Sequence, residues 1–423
     1  MKNKTTYGTI VPLIGGENIG VMNAMDGQFP EWVLSYKPFT ANDEHFIDYI
    51  RGKGYSGEYT FLDEEGNEDY VPEKVDVVNT VCPCAGLSSL NVNSSTDSAA
   101  NDWMYLTANY VLGKVKPRVF WGENAPRLYT KAGTGVSDKL VAIAKEHGYS
   151  LTLYYTESRL HGLSQIRPRT FYFFTDSETA PIFPWHRKPQ ESIEEILQQK
   201  PIKDDPMDIT ANKRSPYENS WLQYHLAATK TKTIAELQKT FAKTVNLIVN
   251  ADGGYDKGLL EVADWMEANG HDSTGARARA MQAKLDQGKG YWGHGITMPR
   301  GSQIPSLIGA LPTALLNPYT DNWITIRDCL RIMKMPDDFN LVGENPASKV
   351  NHICQNVPAS TAEDMMKNVL LYLQGQTEFA PASFVRQNNK NQNVKTETGD
   401  EISNTQEIDA FFMEEGDHAT RLL

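Results

Sequence analysis

The chain has 423 residues, 40% apolar and 22% charged, enough for two domains and a sizeable core. It contains no apolar run of about eighteen residues and its opening "MKNKTTYGTIVPLIGG" has no secretory h-region, which excludes a membrane-spanning helix and points to a soluble, cytoplasmic protein. The net charge of −12 speaks at first against nucleic acid, yet residues 42–76 (eleven acidic, three basic) and 386–423 (eight acidic, four basic) hold the whole excess, while 186–300 carries 16 basic against 15 acidic residues.

In chain order, "VPLIGGENIG" offers Gly15, Gly16 and Gly20 after a first strand-like run, a weak signal for a cofactor turn by itself. "KVDVVNTV" and "RVFWGENA" read as buried strands, with "DWMYLTANYVLGKV" an amphipathic helix between them. "GTGVSDKLVAIAKEHGY" repeats apolar residues at helical spacing and stops at Gly148. "SLTLYYTES" and "RTFYFFTDS" are aromatic and β-branched, hence strands. This alternation predicts an α/β fold with a mostly parallel sheet and helices on both faces, its functional residues at the carboxyl ends of the strands.

From residue 186 the pattern changes. Prolines at 184, 189, 201, 206 and 216 interrupt the chain, and "TIAELQKTFAKTVNLIV" and "DKGLLEVADWMEANG" read as helices. We therefore expect a catalytic and cofactor-binding part over 1–185, a second domain or insertion over 186–300, and a return to the first over 301–385. In that return, "STAEDMMKNVLLYLQG" starts with Ser360 and Glu363 at capping-box spacing. Residues 386–423 are polar and acid-rich, which predicts a disordered tail.

The chemistry gathers at "NTVCPCAGLSSLN". Four cysteines are too few for a disulfide framework, and Cys82 and Cys84 lack the further ligands and the spacing of a zinc site or a redox pair; no metal is expected. Cys82 ends a strand, where a buried thiol is commonplace. Cys84 follows a proline and precedes Gly86, which puts it in a loop at the sheet's carboxyl edge, placed for attack if its pKa is lowered. Glu123 and Asn124 follow the next strand, and Gln165, Arg167 and Arg169 stand at the entry to another. Each has a plain reading alone, as a loop acid or a surface ion pair; together they put thiol, carboxyl and guanidinium at one edge.

These stretches resemble the DNA (cytosine-5) methyltransferase family. "CPCAGLS" is similar to its Pro-Cys nucleophile loop, "GKVKPRVFWGENAPRL" to its Glu-Asn-Val stretch, and "GLSQIRPRTFYFF" to its Gln-x-Arg-x-Arg motif. "ITIRDCLRIMKMPDDF" and "ICQNVPASTAEDM" match its two closing stretches. The resemblance implies a Rossmann-like sheet with a smaller target-recognition domain and S-adenosylmethionine as cofactor. It further implies that double-stranded DNA is the substrate, with the target cytosine flipped out of the helix.

In that scheme Cys84 adds to C6 and Glu123 protonates N3. Asn124 holds the loop, and Arg169 and Arg167 contact the base carbonyl and steady the thiolate. Gly15, Gly16, Gly20, Tyr36, Lys37, Pro83, Gln355 and Asn356 would hold the cofactor. Ser88, in the loop after Cys84, would contact DNA, as would Gln165, Arg277, Arg279, Lys284, Lys289 and Arg300. The Cys-Phe-Thr signature of the family's RNA-modifying branch is absent.

Three departures concern the cofactor: Val11 and Leu13 replace the family's aromatic residue and first glycine, Ser35-Tyr36-Lys37 replaces the acid ending the second strand, and Cys354-Gln355 replaces Gly-Asn. Drift with other residues compensating accounts for them; the alternative is transfer of another group from a modified S-adenosylmethionine, one with an added carboxylate near Lys37. A third reading is a catalytically silent DNA-binding relative, against which the presence of Cys84 and Glu123 argues. A monomer in a bacterial or phage-infected cell, in a DNA-modification or restriction-modification setting, suits the type.

Overall fold

The computed structural model describes residues 4–67, 69–82, 86–87, 95–241, 256–288, 295–299, 301–309, 311–343, 345–397 and 399–402. Ten strands form its main sheet: β1 (Tyr7–Ile10), β2 (Trp32–Ser35), β3 (Glu58–Phe61), β4 (Val77–Thr80), β5 (Val119–Asn124), β6 (Ser150–Glu157), β7 (Pro168–Thr175), β8 (Phe384–Asn388), β9 (Asn393–Thr396) and β10 (Glu401–Ile402). Their spatial order is β10-β9-β8-β6-β7-β5-β4-β1-β2-β3. From β3 to β5 all neighbours are parallel. β7 runs antiparallel between β5 and β6, and β8 returns parallel to β6.

The helices used below are α1 (Gly16–Ala24), α2 (Thr40–Gly52), α3 (Asp102–Tyr110), α4 (Thr134–His147), α5 (Asp256–Ala268), α6 (Asp272–Leu285), α7 (Ile326–Ile332), α8 (Pro346–Gln355) and α9 (Ala359–Leu373). Adjacent residues of a strand point to opposite faces, and the residues on β4 and just beyond β2 and β4 meet a helix on each face. Asn79 reaches α1 through Glu17 and Asn18, whereas Tyr36 and Cys82 reach α3 at Thr107 and Trp103. Every residue of β1, β2, β4 and β5 is buried, the composition of strands covered on both sides.

The acid-rich stretch 42–76 is no appendage. It supplies most of α2, the edge strand β3 and the lead into β4, with its acids largely on the outside. Helix α4 stops where expected, at Gly148 with φ 76°, a left-handed cap that glycine adopts without strain.

Three expectations change. Composition predicts a disordered tail from residue 386, but β8 runs on to Asn388 and β9 and β10 follow it; residues 403–423 lie outside the described residues. Few apolar side chains suffice here: Val385 and Val394 are buried, while Gln387 and Asn389 accept backbone N–H groups of Phe183 and His186. The capping box at Ser360 is also displaced. Helix α9 begins after Pro358, and the Ser360 hydroxyl donates instead to the His161 carbonyl at 3.1 Å.

The third change concerns the domain division at 186 and 300. Ile193, Ile196, Leu197, Met207 and Ala211 pack into the main core. A separate small core gathers Leu222, Ile234, Leu237, Phe241, Ile296 and Met298 with Leu316 and Trp323, so its packing runs past residue 300. Of the helix expected from "TIAELQKTFAKTVNLIV", Ile234–Gln238 is helical and residues 242–250 lie outside the described residues.

Candidate active site

The turn after β1 is made from residues poorly suited to it. Val11 (φ 54°) and Leu13 (φ 50°) both occupy the left-handed region, which bulky and β-branched side chains avoid. The Val11 N–H donates to the Leu34 carbonyl at 2.9 Å, and its own carbonyl accepts from Val81 at 3.3 Å. The Leu13 N–H donates to Oδ1 of Asp43 at 2.9 Å.

Gly15 follows at φ 92° and opens α1. What the three glycines of this region admit is protein. A Cβ on Gly15 would lie 2.4 Å from the Phe46 ring, one on Gly16 2.1 Å from the Val357 carbonyl, and one on Gly20 2.4 Å from the Ala359 carbonyl. The last two let α1 lie directly against α9 and the residues leading into it. There Asn356 accepts the Gly16 N–H on Oδ1 at 3.0 Å.

A buried polar group stands on the first turn of α1. Asn79 donates from Nδ2 to Glu17 Oε1 at 2.9 Å and to Asn18 Oδ1 at 3.1 Å. Glu17 Oε2 and Asn18 Nδ2 are buried with no partner among the described residues. Burial pushes the Glu17 carboxyl well above the usual range, against the hydrogen bond from Asn79.

At the end of β2, Ser35 donates its hydroxyl to Asp43 Oδ2. Tyr36 is buried, its ring 4.8 Å from that of Trp103 and its hydroxyl 3.2 Å from that of Thr107. Lys37 is half exposed and pairs with Glu64 at 3.6 Å. Gln355 is exposed and accepts from Asn42 at 3.4 Å.

Beyond β4 the chain enters the cysteine loop. Cys82 is buried, and burial raises its thiol, which leaves it protonated and inert. Pro83, Cys84 and Ser88 lie outside the described residues. Both flanks of that loop are fixed: Cys82 and Leu87 are buried, and a Cβ on Gly86 would lie 2.3 Å from Asn101 Oδ1.

One strand over, Glu123 stands at the carboxyl end of β5, 3% exposed. Its Oε1 lies 2.5 Å from Arg169 Nε. Burial raises the Glu123 carboxyl, opposed by the charges of Arg169 and then Arg167. A carboxyl whose acid form is favoured in this way can give its proton to a ring nitrogen. Asn124 caps its own loop, accepting the Ala125 N–H at 2.8 Å.

Arg167 and Arg169 do not share a task. The Arg167 guanidinium is buried and donates to the carbonyls of Leu307 (2.7 Å), Cys354 (2.9 Å) and Asn356 (2.8 Å) and to the Ser306 hydroxyl (3.3 Å). It braces the segments beside the site and does not present itself to a base. Gln165, expected on DNA, is likewise fully buried: it donates to Ile332 O and accepts from Leu307 N, both at 3.3 Å.

The sequence profile of the C-5 cytosine-specific DNA methylases matches residues 49–370. The chain belongs to that family. Two solved structures share its fold. One is a protein described as a DNA modification methyltransferase encoded within an E. coli prophage (TM-score 0.53, 13% identity, covering 88% of this chain and 99% of that one). The other is an Entamoeba histolytica methyltransferase (TM-score 0.52, 9% identity, covering 88% and 99%). A search of curated proteins gave no match.

The basic residues expected to contact DNA differ in their surroundings. Arg277 and Lys284 on α6 are exposed. Arg279 is already paired with Asp264 (2.6 Å) and Glu267 (2.8 Å) on α5, so its charge is neutralised within the protein. Lys289 and Arg300 lie outside the described residues.

A second polar cluster gathers around Asp364. Asp364 Oδ2 sits 2.8 Å from His161 Nδ1 and 3.6 Å from His186 Nδ1, and Lys188 Nζ lies 2.5 Å from Oδ1. The trio has the makings of a cation site, but the Lys188 ammonium already supplies positive charge to the carboxylate. Sequence reasoning missed Glu17, Asn79 and Asp43. Glu17 alone had a visible signal, an acid placed directly after the paired glycines.

No helix among the described residues is long and apolar enough to cross a membrane.

Proposed function

We propose that this protein methylates C5 of cytosine in double-stranded DNA, with S-adenosylmethionine as donor. The observation that carries the reading is the buried Glu123–Arg169 pair at the carboxyl edge of the sheet, one strand from the loop of Cys84. Cytosine C5 is a poor nucleophile until C6 is attacked. The Cys84 thiolate forms the bond to C6, and Glu123 delivers its proton to N3 as negative charge builds there. Arg169 stays beside the Glu123 carboxylate so formed and offers its remaining N–H groups to the base carbonyl. Because a stacked base cannot reach this edge, the cytosine is flipped out of the duplex.

The residues fit the donor. Glu17 Oε2 and Asn18 Nδ2 leave an acceptor and a donor unpaired at the amino end of α1, suited to the charged amino-acid end of the cofactor. When bound, S-adenosylmethionine supplies the electrophilic methyl group. Lys37 is paired with Glu64 at the surface, which gives no support to its holding a carboxylated cofactor.

The test is mass spectrometry of nucleosides from DNA incubated with S-adenosylmethionine and either the wild type or Cys84→Ser. Cytosine heavier by one CH2, absent with the variant, supports the proposal. No change with either protein, and no Cys84-dependent covalent trapping on fluorinated cytosine DNA, would leave the silent DNA-binding reading in its place.

A further inference from the structure

Two departures from the family pattern meet at one side chain. Leu13 stands where the family has glycine and adopts a glycine conformation, φ 50°. An L side chain holds this conformation only when its surroundings impose it. Ser35, at the end of β2, stands where the family has an acid. β1, β2 and β3 are parallel neighbours, so their carboxyl ends lie on one edge. Asp43, in the first turn of α2, reaches that edge from the side and is fully buried.

Its two oxygens serve all three strands. Oδ1 accepts the Leu13 N–H at 2.9 Å, and Oδ2 accepts the hydroxyls of Ser35 and of Tyr59 on β3, the latter at 3.4 Å. Among the described residues, every hydrogen bond to this carboxyl thus comes from a donor at the strand ends or on β3. We propose that Asp43 is a positioning residue for the cofactor turn: its carboxyl Oδ1 holds Leu13 in the left-handed conformation that a glycine would adopt unaided. This rests on reading that turn as the seat of S-adenosylmethionine.

The logic makes a specific coupling. An N–H anchor matters only while residue 13 resists the turn; with glycine at 13 the turn forms without it. A carboxamide keeps an acceptor oxygen for Leu13, whereas alanine has none. The experiment is S-adenosylmethionine binding by calorimetry to the full chain as wild type, Asp43→Asn, Asp43→Ala and the double variant Asp43→Ala with Leu13→Gly. Thermal unfolding is recorded for each.

Burial pushes the Asp43 carboxyl up to about 8, so its acceptor oxygen rather than its charge is what counts. Leaving the buried Leu13 N–H without that acceptor should weaken binding by Asp43→Ala by roughly tenfold or more. Asp43→Asn should stay within about threefold, and adding Leu13→Gly should restore most of what alanine lost. Should Asp43→Ala alone fail to fold, recovery of a folded, binding protein by Leu13→Gly is the same support. The inference is overturned if Asp43→Ala binds like the wild type, or if its loss is shared by a folded Asp43→Asn and is not recovered by Leu13→Gly. A wild type that binds no S-adenosylmethionine would instead overturn the cofactor reading underneath, which separates the two failures.

Discussion

Replacing Arg167 by methionine tests whether this buried guanidinium is a brace or a base contact. The substitution keeps much of the aliphatic volume and removes every donor. It orphans the carbonyls of Leu307, Cys354 and Asn356, held at 2.7, 2.9 and 2.8 Å. A buried polar group stripped of its partner costs about 1–3 kcal/mol, so three carbonyls come to roughly 3–6 kcal/mol at the lower half of that range. The variant no longer buries a cation, which offsets part of the loss. We expect a net destabilisation of about 3 kcal/mol, a large share of the roughly 5–15 kcal/mol a folded protein has.

Urea unfolding reads this directly. With a slope of about 3 kcal/mol/M the midpoint should fall by about 1 M with the slope unchanged. Because Asn356 also accepts the Gly16 N–H, methyl transfer should fall in step with stability. An unchanged midpoint with turnover abolished would refute the reasoning and return Arg167 to the base.

Glu123→Gln keeps the shape of the site but cannot deliver a proton, so single-turnover methylation should slow by about 10²–10⁴-fold while duplex binding persists. Burial raises the Glu123 carboxyl and the acid form is the active one, so turnover should decline as pH rises through the raised value, a decline absent from the residual activity of Glu123→Gln. The sign for stability follows: a folded-state pKa above the unfolded value of about 4.3 gives stability that is whole below that pH and lost as pH rises through the folded value. Comparing urea midpoints of wild type and Glu123→Gln across that window should show the wild type falling further. Gly20→Ala would set a methyl 2.4 Å from the Ala359 carbonyl and 2.6 Å from the Ala362 Cβ, forcing α1 off α9 at a cost of about 1–3 kcal/mol, seen as an earlier thermal transition.

How far the fold and the site are legible differs element by element. β4 and β5 announce themselves as short apolar runs closed by polar turns, because a strand buried on both faces has no other composition available. α4 is legible from its repeat and from Gly148. By contrast β8 to β10 look like a soluble tail because few of their residues are apolar; the buried Gln387 and Asn389 find partners in the backbone N–H groups of Phe183 and His186, brought from far along the chain. Ser360 and Glu363 carry a local capping signal that Pro358 overrides by starting the helix sooner.

By itself the sequence determined which chemistry is present: a thiol in a loop at Cys84, an acid at a strand end at Glu123, and arginines at the entry to another strand, in an order and spacing that a local pattern can carry. Only the tertiary structure decided which of those groups meet. Arg167 and Arg169 are two residues apart and look equivalent, yet one serves carbonyls 140 to 189 residues away and the other pairs with Glu123. Asp43 is one of eleven acids in its stretch and becomes distinct only because three parallel strands end around it. Composition and periodicity report what a residue can do within its own turn or strand; a buried hydrogen bond depends on a partner brought from far along the chain, and no local pattern records it.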